Sequence, residues 1–280
     1  MHFPKFWAKA EENNFKAWGW SDISQNEAIN SAKKRAHNLS VLLSHGRPPR
    51  APYGYSDQPL REEVINSVDL PELAESVVIT RNGYGALILN SPQVAFLDVD
   101  RKPPLSPLDV IKQLTVNIFK EKQNQYVASR EEVQSNCMLL CELNSALGLR
   151  FYETAAGFRI MVTQDLCRPD GELIREVSRV LKVDPLYRRL SLRHRSFRAR
   201  LTPKPWRCGH YTPKNRWPWS NEWAKKHFEQ WQKSYAEKSE GFATCRFIGQ
   251  FGNAIMHPAV HEVVKLHDSS TKAFSPLPLA

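Results

Sequence analysis

Two aspartates stand one residue apart at the end of an apolar run, Phe96-Leu-Asp-Val-Asp100. Residues two apart on a β-strand share a face, so Asp98 and Asp100 are expected to project together. Side-by-side carboxylates repel one another unless a cation sits between them. Mg2+ or Mn2+ in such a pair can clamp nucleotide phosphates and stabilise both oxygens of an in-line displacement. The competing account is a strand that reaches solvent in acidic residues, with Arg101 and Lys102 beside them as neutralising charges. A second stretch, Arg150-Phe-Tyr-Glu-Thr-Ala-Ala-Gly-Phe-Arg159, reads as strand, small-residue turn, strand. The exposed N–H groups of a turn running from Thr154 through Gly157 can cradle a phosphate, and Arg159 leaves that turn as a cation. A plain tight hairpin would account for the same residues.

The third feature is electrostatic. From Pro185 to Asn221 there is no acidic residue, and the ten Lys and Arg there equal the formal net charge of +10 carried by the whole chain. Eight of the ten are Arg, whose planar fork matches phosphate oxygens in pairs. Tyr187, Phe197, Trp206, Tyr211, Trp217 and Trp219 are interleaved with them. Cations that follow a phosphate backbone beside rings on which bases stack are the requirements of single-stranded nucleic acid binding. Arg198, Arg200 and Lys204 are accordingly expected to hold a nucleotide or template, and Arg193, Arg195, Trp206 and Arg207 to contact nucleic acid. A charged face in plain contact with water is the alternative, although such faces normally mix signs. Membrane binding is disfavoured, because Pro203, Pro205, Pro213 and Pro218 interrupt any amphipathic helix in this stretch.

Positioning these groups requires a framework, and the local signals predict one. Residues 3–10 and 15–20 flank Asn13-Asn14 as a β-hairpin, and Ser24 with Glu27 opens a helix carrying Ala28, Ala32 and Ala36. A loop covers 46–52 and a short helix 61–67. Residues 77–100 read as a three-strand meander that ends in the aspartates. Ser106 then caps one helix, and Ser129 with Glu132 frames another running to Leu147, with Gly148 as its C-cap. Strands follow at 149–154 and 158–163, a helix capped by Asp170, a short helix from Asp184-Pro185, and a strand at 197–202. Helix 221–238, strand 243–250 and helix 259–266 complete the pattern. The expected fold is α+β: one compact unit with a mixed or antiparallel sheet core flanked by helices. Residues 1–45 form a ββα element, 77–205 the core, and 206–280 a C-terminal helical extension.

With 280 residues, 41% of them hydrophobic and 24% charged, the chain has material for a sizeable core without metal or disulfide. No apolar run approaches the roughly 18 residues of a membrane span. The first residues show no basic head followed by an apolar segment, and the five cysteines are odd in number, so a cytoplasmic setting with reduced thiols is expected. Cys208, His210 and Cys245 with His257, His261 or His267 could furnish four zinc ligands, but their spacing is irregular and zinc is not expected. Cys137 and Cys141 share a helix face and read as core thiols, Trp7, Trp18 and Trp20 as a shared aromatic core, and His267-Asp268 as an isolated pair. Walker, dinucleotide-binding and Gly-x-Ser-x-Gly motifs are lacking.

The order of apolar strand ending Asp-x-Asp, helix, strand into a Thr-small-small-Gly turn, strand, then basic strand resembles the archaeo-eukaryotic primase (primase-polymerase) superfamily. The likeness covers roughly residues 77–205. It implies metal ligation by Asp98 and Asp100, incoming triphosphate held by the turn from Thr154 to Arg159, and template or nucleotide near the segment 197–205. Arg159 stands where the family turn carries His. A third metal carboxylate has no clear counterpart: Asp184 fits by distance along the chain but equally suits a helix N-cap, and Asp165 and Glu153 are weaker choices. Residues 197–208 are also similar to a bacterial family of uncharacterised proteins. The expected function is a divergent, metal-dependent nucleotidyltransferase acting on nucleotides and single-stranded or primed nucleic acid. A non-catalytic nucleic-acid binder on the same fold and a metal-dependent phosphodiesterase or nuclease are the alternatives.

Overall fold

The computed structural model describes residues 1–44, 46, 59–101 and 127–280. At the N-terminus, β1 (Phe6–Glu12) and β2 (Phe15–Ser21) pair antiparallel. Asn13 and Asn14 between them both take positive φ, as a two-residue hairpin turn demands. Helix α1 (Gln25–Ser44) lays Ala28, Ala32 and Ala36, spaced four apart, against this hairpin. The approach is so close that a Cβ on Gly19 would fall 2.0 Å from the Ala32 backbone nitrogen. The expected ββα element is therefore present, with Ala8, Ala28 and Ala32 as a small core of its own.

Two larger sheets follow. In the first, β3 (Glu63–Val68), β4 (Val77–Arg81), β5 (Leu87–Ser91) and β10 (Phe197–Arg200) run antiparallel in the order β10-β5-β4-β3. The helix expected over 61–67 is instead the edge strand β3. Its β-branched residues favour a pleated surface, and an irregularity between Val64 and Asn66 breaks the alternation that would have marked it as a strand.

The second sheet comprises β6 (Phe96–Arg101), β7 (Val127–Ala128), β8 (Gly148–Thr154), β9 (Gly157–Val162) and β11 (Cys245–Gly252), ordered β11-β8-β9-β6-β7. The predicted meander is thus divided: β4 and β5 form a hairpin, but β6 leaves for the other sheet and pairs with β9. Phe96 on one face and Leu97 and Val99 on the other are all buried, which suits a strand covered on both faces rather than one with a solvent side. Helix α2 (Arg130–Leu143) connects to β8, and β9 inserts between β8 and β6, giving a split β-α-β unit. The helix ends earlier than expected. Asn144 caps it, the Asn144 side chain accepts from the Ala146 N–H in an Asx-type turn, and Gly148 begins β8.

Helices α3 (Glu172–Val180), α4 (Pro185–His194), α5 (Glu222–Ser239) and α6 (Pro258–Thr271) complete the fold. Gly171 rather than Asp170 is the N-cap of α3, because the Asp170 carboxylate pairs with Arg168. Asp184 caps α4 and Asn221 caps α5, each accepting from a backbone N–H of the first turn. One apolar core, including Leu89, Phe96, Phe151, Phe158 and Phe197, joins the two larger sheets, while Cys208, Phe228, Trp231 and Tyr235 form a separate cluster around α5. The architecture is α+β, with six helices and three mixed or antiparallel sheets among the described residues. No described helix is long and apolar enough to cross a membrane. The loop expected over 46–52, apart from Gly46, and the helix expected from Ser106 lie outside the described residues.

Candidate functional site

The site lies where the two larger sheets meet. Strand β6 carries Asp98 and Asp100 and packs beside β10, the strand of Arg198 and Arg200. Helix α4 fixes this junction. The Asp184 N–H donates to the Asp98 carbonyl at 3.1 Å, seating the start of α4 against β6. The Tyr187 hydroxyl donates to the Phe96 carbonyl at 2.5 Å and accepts from the Arg198 N–H at 3.2 Å, linking β6 to β10 through one side chain.

Within this junction the two aspartates differ. Arg159 lies opposite Asp98 on β9. Its Nε donates to Asp98 Oδ1 at 2.9 Å and its Nη2 to Oδ2 at 3.4 Å, while Nη1 reaches the Arg200 carbonyl at 3.2 Å. Arg159 is only 1% exposed. Burial acts to lower its pKa, and the Asp98 carboxylate more than offsets that, holding the guanidinium firmly charged. Asp100 is exposed, and its pKa is raised by partial burial and by the negative charges of Asp184 and Asp98, with Lys204 opposing the shift. Asp184 is therefore the carboxylate that joins the pair in space.

Across from them stand the cations of the basic segment. Burial, then the like charge of Arg159, pushes Arg200 down to about 10, still protonated at neutral pH, and its buried Nε has no hydrogen-bond partner among the described residues. Lys204 is lowered by burial and by Arg200 and Arg207, against the pull of Asp100 and Asp98. Its ammonium lies 5.4 Å from the ring centroid of Trp206, which in turn meets Tyr84 edge-on at 5.3 Å. Asp98, Asp100, Asp184, Arg159, Arg200, Lys204 and Arg207 thus converge.

Other expected site residues are placed differently. Arg198 donates to both Glu62 oxygens, at 2.7 and 2.9 Å, and to Asn90 at 2.7 Å, so it serves the four-stranded sheet. Arg193 and Arg195 lie at the far end of α4, roughly 14 Å along the helix axis from Asp184 at the usual rise per residue. Thr154 and Gly157 close the β8–β9 hairpin, with Gly157 paired to Asp100. A Cβ on Gly157 would lie 2.1 Å from the Val99 carbonyl, so the glycine serves the close approach of β9 to β6. Glu153 pairs with Arg101, the residue after Asp100, and Asp165 accepts from the neighbouring Leu166 N–H.

The sequence offers His267 and Asp268 only as an isolated pair, and their connection to Arg159 is not visible in it. Far from isolated, His267 is fully buried beside Arg159, with Nε2 3.3 Å from Arg159 Nη1 and Nδ1 2.9 Å from Asp268 Oδ1. A neutral imidazole with its proton on Nδ1 satisfies both contacts, donating to Asp268 and accepting from Arg159. Asp268 also accepts from Arg150 at 2.7 Å, so a chain of hydrogen bonds runs from Asp98 through the core. No local signal marks it, because its members come from β6, β8, β9 and α6.

The suggested zinc set divides likewise: Cys208 lies in the α5 cluster and Cys245 beside His267. Among the described residues no group of three or more His, Cys, Asp or Glu is arranged to hold a metal ion. Magnesium or manganese fits poorly as the side chains stand, since Arg159 engages both oxygens of Asp98. The chain matches no protein-family model, no curated protein and no solved structure.

Proposed function

We propose that the protein binds nucleotides or single-stranded nucleic acid through this junction, with Arg200, Lys204 and Arg207 gripping phosphate. The observation that carries the reading is Arg200: a buried Nε donor without an acceptor among the described residues, beside two further cations. A buried donor left unsatisfied costs about 1–3 kcal/mol, and a phosphate oxygen would supply both the acceptor and the countercharge. The split β-α-β unit bearing the aspartates, with the basic strand alongside, supports a primase-polymerase-like core. The five free cysteines support a cytoplasmic setting, and the proline-interrupted basic segment favours nucleic acid over a membrane as partner.

A second reading, metal-dependent nucleotidyl transfer, is favoured by one observation: Asp100 carries charge repelled by both Asp184 and Asp98. A divalent cation such as Mg2+ or Mn2+ would relieve that repulsion. Ligation by Asp98 would require it to exchange Arg159 for the metal.

Fluorescence anisotropy with a labelled single-stranded oligonucleotide and a labelled nucleoside triphosphate tests the first reading. Wild-type protein binds in a salt-dependent manner, and Arg200→Gln or Lys204→Gln weakens binding about tenfold, the effect of losing one charge-assisted contact. Absence of binding to either probe at low salt overturns it. Extension of a primed template with Mn2+, abolished by Asp100→Asn, would establish the second reading.

A further inference from the structure

Beyond the phosphate cleft, the basic segment builds a second feature around α5. Tyr211, Lys214, Trp223, His227, Phe228 and Trp231 line an open groove of about 610 Å3. Its inner wall is held in place. Trp231 donates its indole N–H to the Tyr211 carbonyl at 2.8 Å and stacks within 14° of parallel on His210 and 12° on Tyr235. Its rim is open: Tyr211 is 62% and Trp223 63% exposed, large aromatic faces with no core to join. Trp223 contacts His227 with ring centroids 4.0 Å apart.

The groove is continuous with cations that point back to the cleft. Pro213 and Phe228 also line a small crevice beside it, which contains Arg61, Arg81 and Arg216. Arg61 is lowered in pKa by burial and then by Arg216, the sign of cations crowded together. Glu63 pairs with Arg81. Arg216 reaches the turn at Gly83, whose neighbour Tyr84 meets Trp206 beside Lys204. A path therefore leads from the phosphate cleft over Trp206 and Tyr84 to the arginine crevice, and from there to the aromatic rim.

We propose that this groove stacks the bases of a single-stranded nucleic acid whose backbone runs along Arg216 and Lys214 from the cleft. The proposal rests on the phosphate-binding reading above and adds where the bases go. Ring shape together with charge favours this occupant over an acidic peptide, because flat rings on a rigid wall match nucleobases, which all share a π-face, and the adjoining cations match the phosphates.

The test compares single-stranded DNA and RNA oligonucleotides, the same lengths carrying abasic sugars, and duplexes of the same sequence. Wild-type protein should prefer either intact single strand to the duplex and to the abasic strand. Trp223→Ala should weaken single-strand binding roughly tenfold, within the range for losing one base stack, and erase the difference between intact and abasic strands. Trp223→Phe should restore most of both. Trp223 is exposed, so these variants keep the core intact, and unchanged thermal unfolding checks that. Equal affinity for intact and abasic strands, or no effect of Trp223→Ala while Lys204→Gln still weakens binding, overturns the groove and leaves the cleft. No binding by wild type overturns both readings. Self-association of the wild type that Trp223→Ala abolishes would overturn the proposal in favour of a second copy of the chain.

Discussion

Arg198 and Arg200 sit two residues apart on one short strand, yet the regions around them treat a guanidinium in opposite ways. On the side of the four-stranded sheet, Arg198 meets Glu62, which also accepts from Thr80, while Asn90 binds both Arg198 and Thr80. Each of those four side chains has a hydrogen-bond partner in that small network. At the junction with the second sheet, Arg200 faces Asp98 across Arg159, and Arg159 already occupies the carboxylate. The first region is closed electrostatically and holds the fold together. The second is left with more cations than the described anions satisfy: Arg159, Arg200, Lys204 and Arg207 against Asp98, Asp100 and Asp184. A surplus of that kind destabilises the folded chain on its own and becomes favourable when an anion arrives.

The sharpest way to break this comparison is to remove the arginine beneath the surplus. Arg159→Met should cost about 3 kcal/mol of unfolding free energy, the low end for a broken buried pair because Asp98 keeps some contact with solvent. Urea denaturation measures it. A loss under 1 kcal/mol would mean that Asp98 does not depend on Arg159, which would leave the carboxylate available to a metal. Arg198→Ala should follow with a loss of about 2 kcal/mol, as expected for charge-assisted hydrogen bonds inside a paired network. Arg200→Met should change stability little or raise it, while weakening oligonucleotide binding. If Arg198→Ala instead reduced binding without reducing stability, the two regions would have exchanged roles.

The pattern explains what the sequence could and could not disclose. The N-terminal ββα element, the β8–β9 hairpin and the Asp184 cap follow from neighbouring residues: Asn13-Asn14 at a turn, alanines four apart, Asp before Pro. Asp98 and Asp100 were also legible as a pair on an apolar strand. The pairing of Asp98 with Arg159 was not, since it depends on β9 settling beside β6 from 61 residues away. His267 was less visible still, as its partner Arg159 lies 108 residues back and its only local signal is the adjacent Asp268. Composition located the cations but could not separate Arg198 and Arg159, which are neutralised inside the fold, from Arg200 and Lys204.

His267 offers a smaller effect on the closed side. Burial lowers its pKa below the ordinary 6.5, aided by the Arg159 charge and opposed by Asp268 and Asp98. Below that pH the unfolded chain takes up a proton that folded His267 refuses, so stability declines as pH falls from about 6.5. His194 is also lowered by burial and by Arg198, and contributes in the same direction. His267→Gln should therefore flatten only part of the decline in urea unfolding between neutral and mildly acidic pH. An unchanged slope would mean that folded His267 takes up its proton as readily as the unfolded chain does, which would set a cation against Arg159 at mildly acidic pH and contradict the hydrogen bonding described.

The smallest predicted effect probes the open side and separates phosphate contact from general charge. If Lys204 neutralises one phosphate, Lys204→Gln should reduce the slope of log affinity against log salt by about one. Lys265 gives the control, because it carries the same charge on α6 and pairs with Glu262. Lys265→Gln should leave that slope unaltered. Equal reductions from both would make binding a property of net charge alone, and the distinction between a closed and an open region would then have no bearing on ligand recognition.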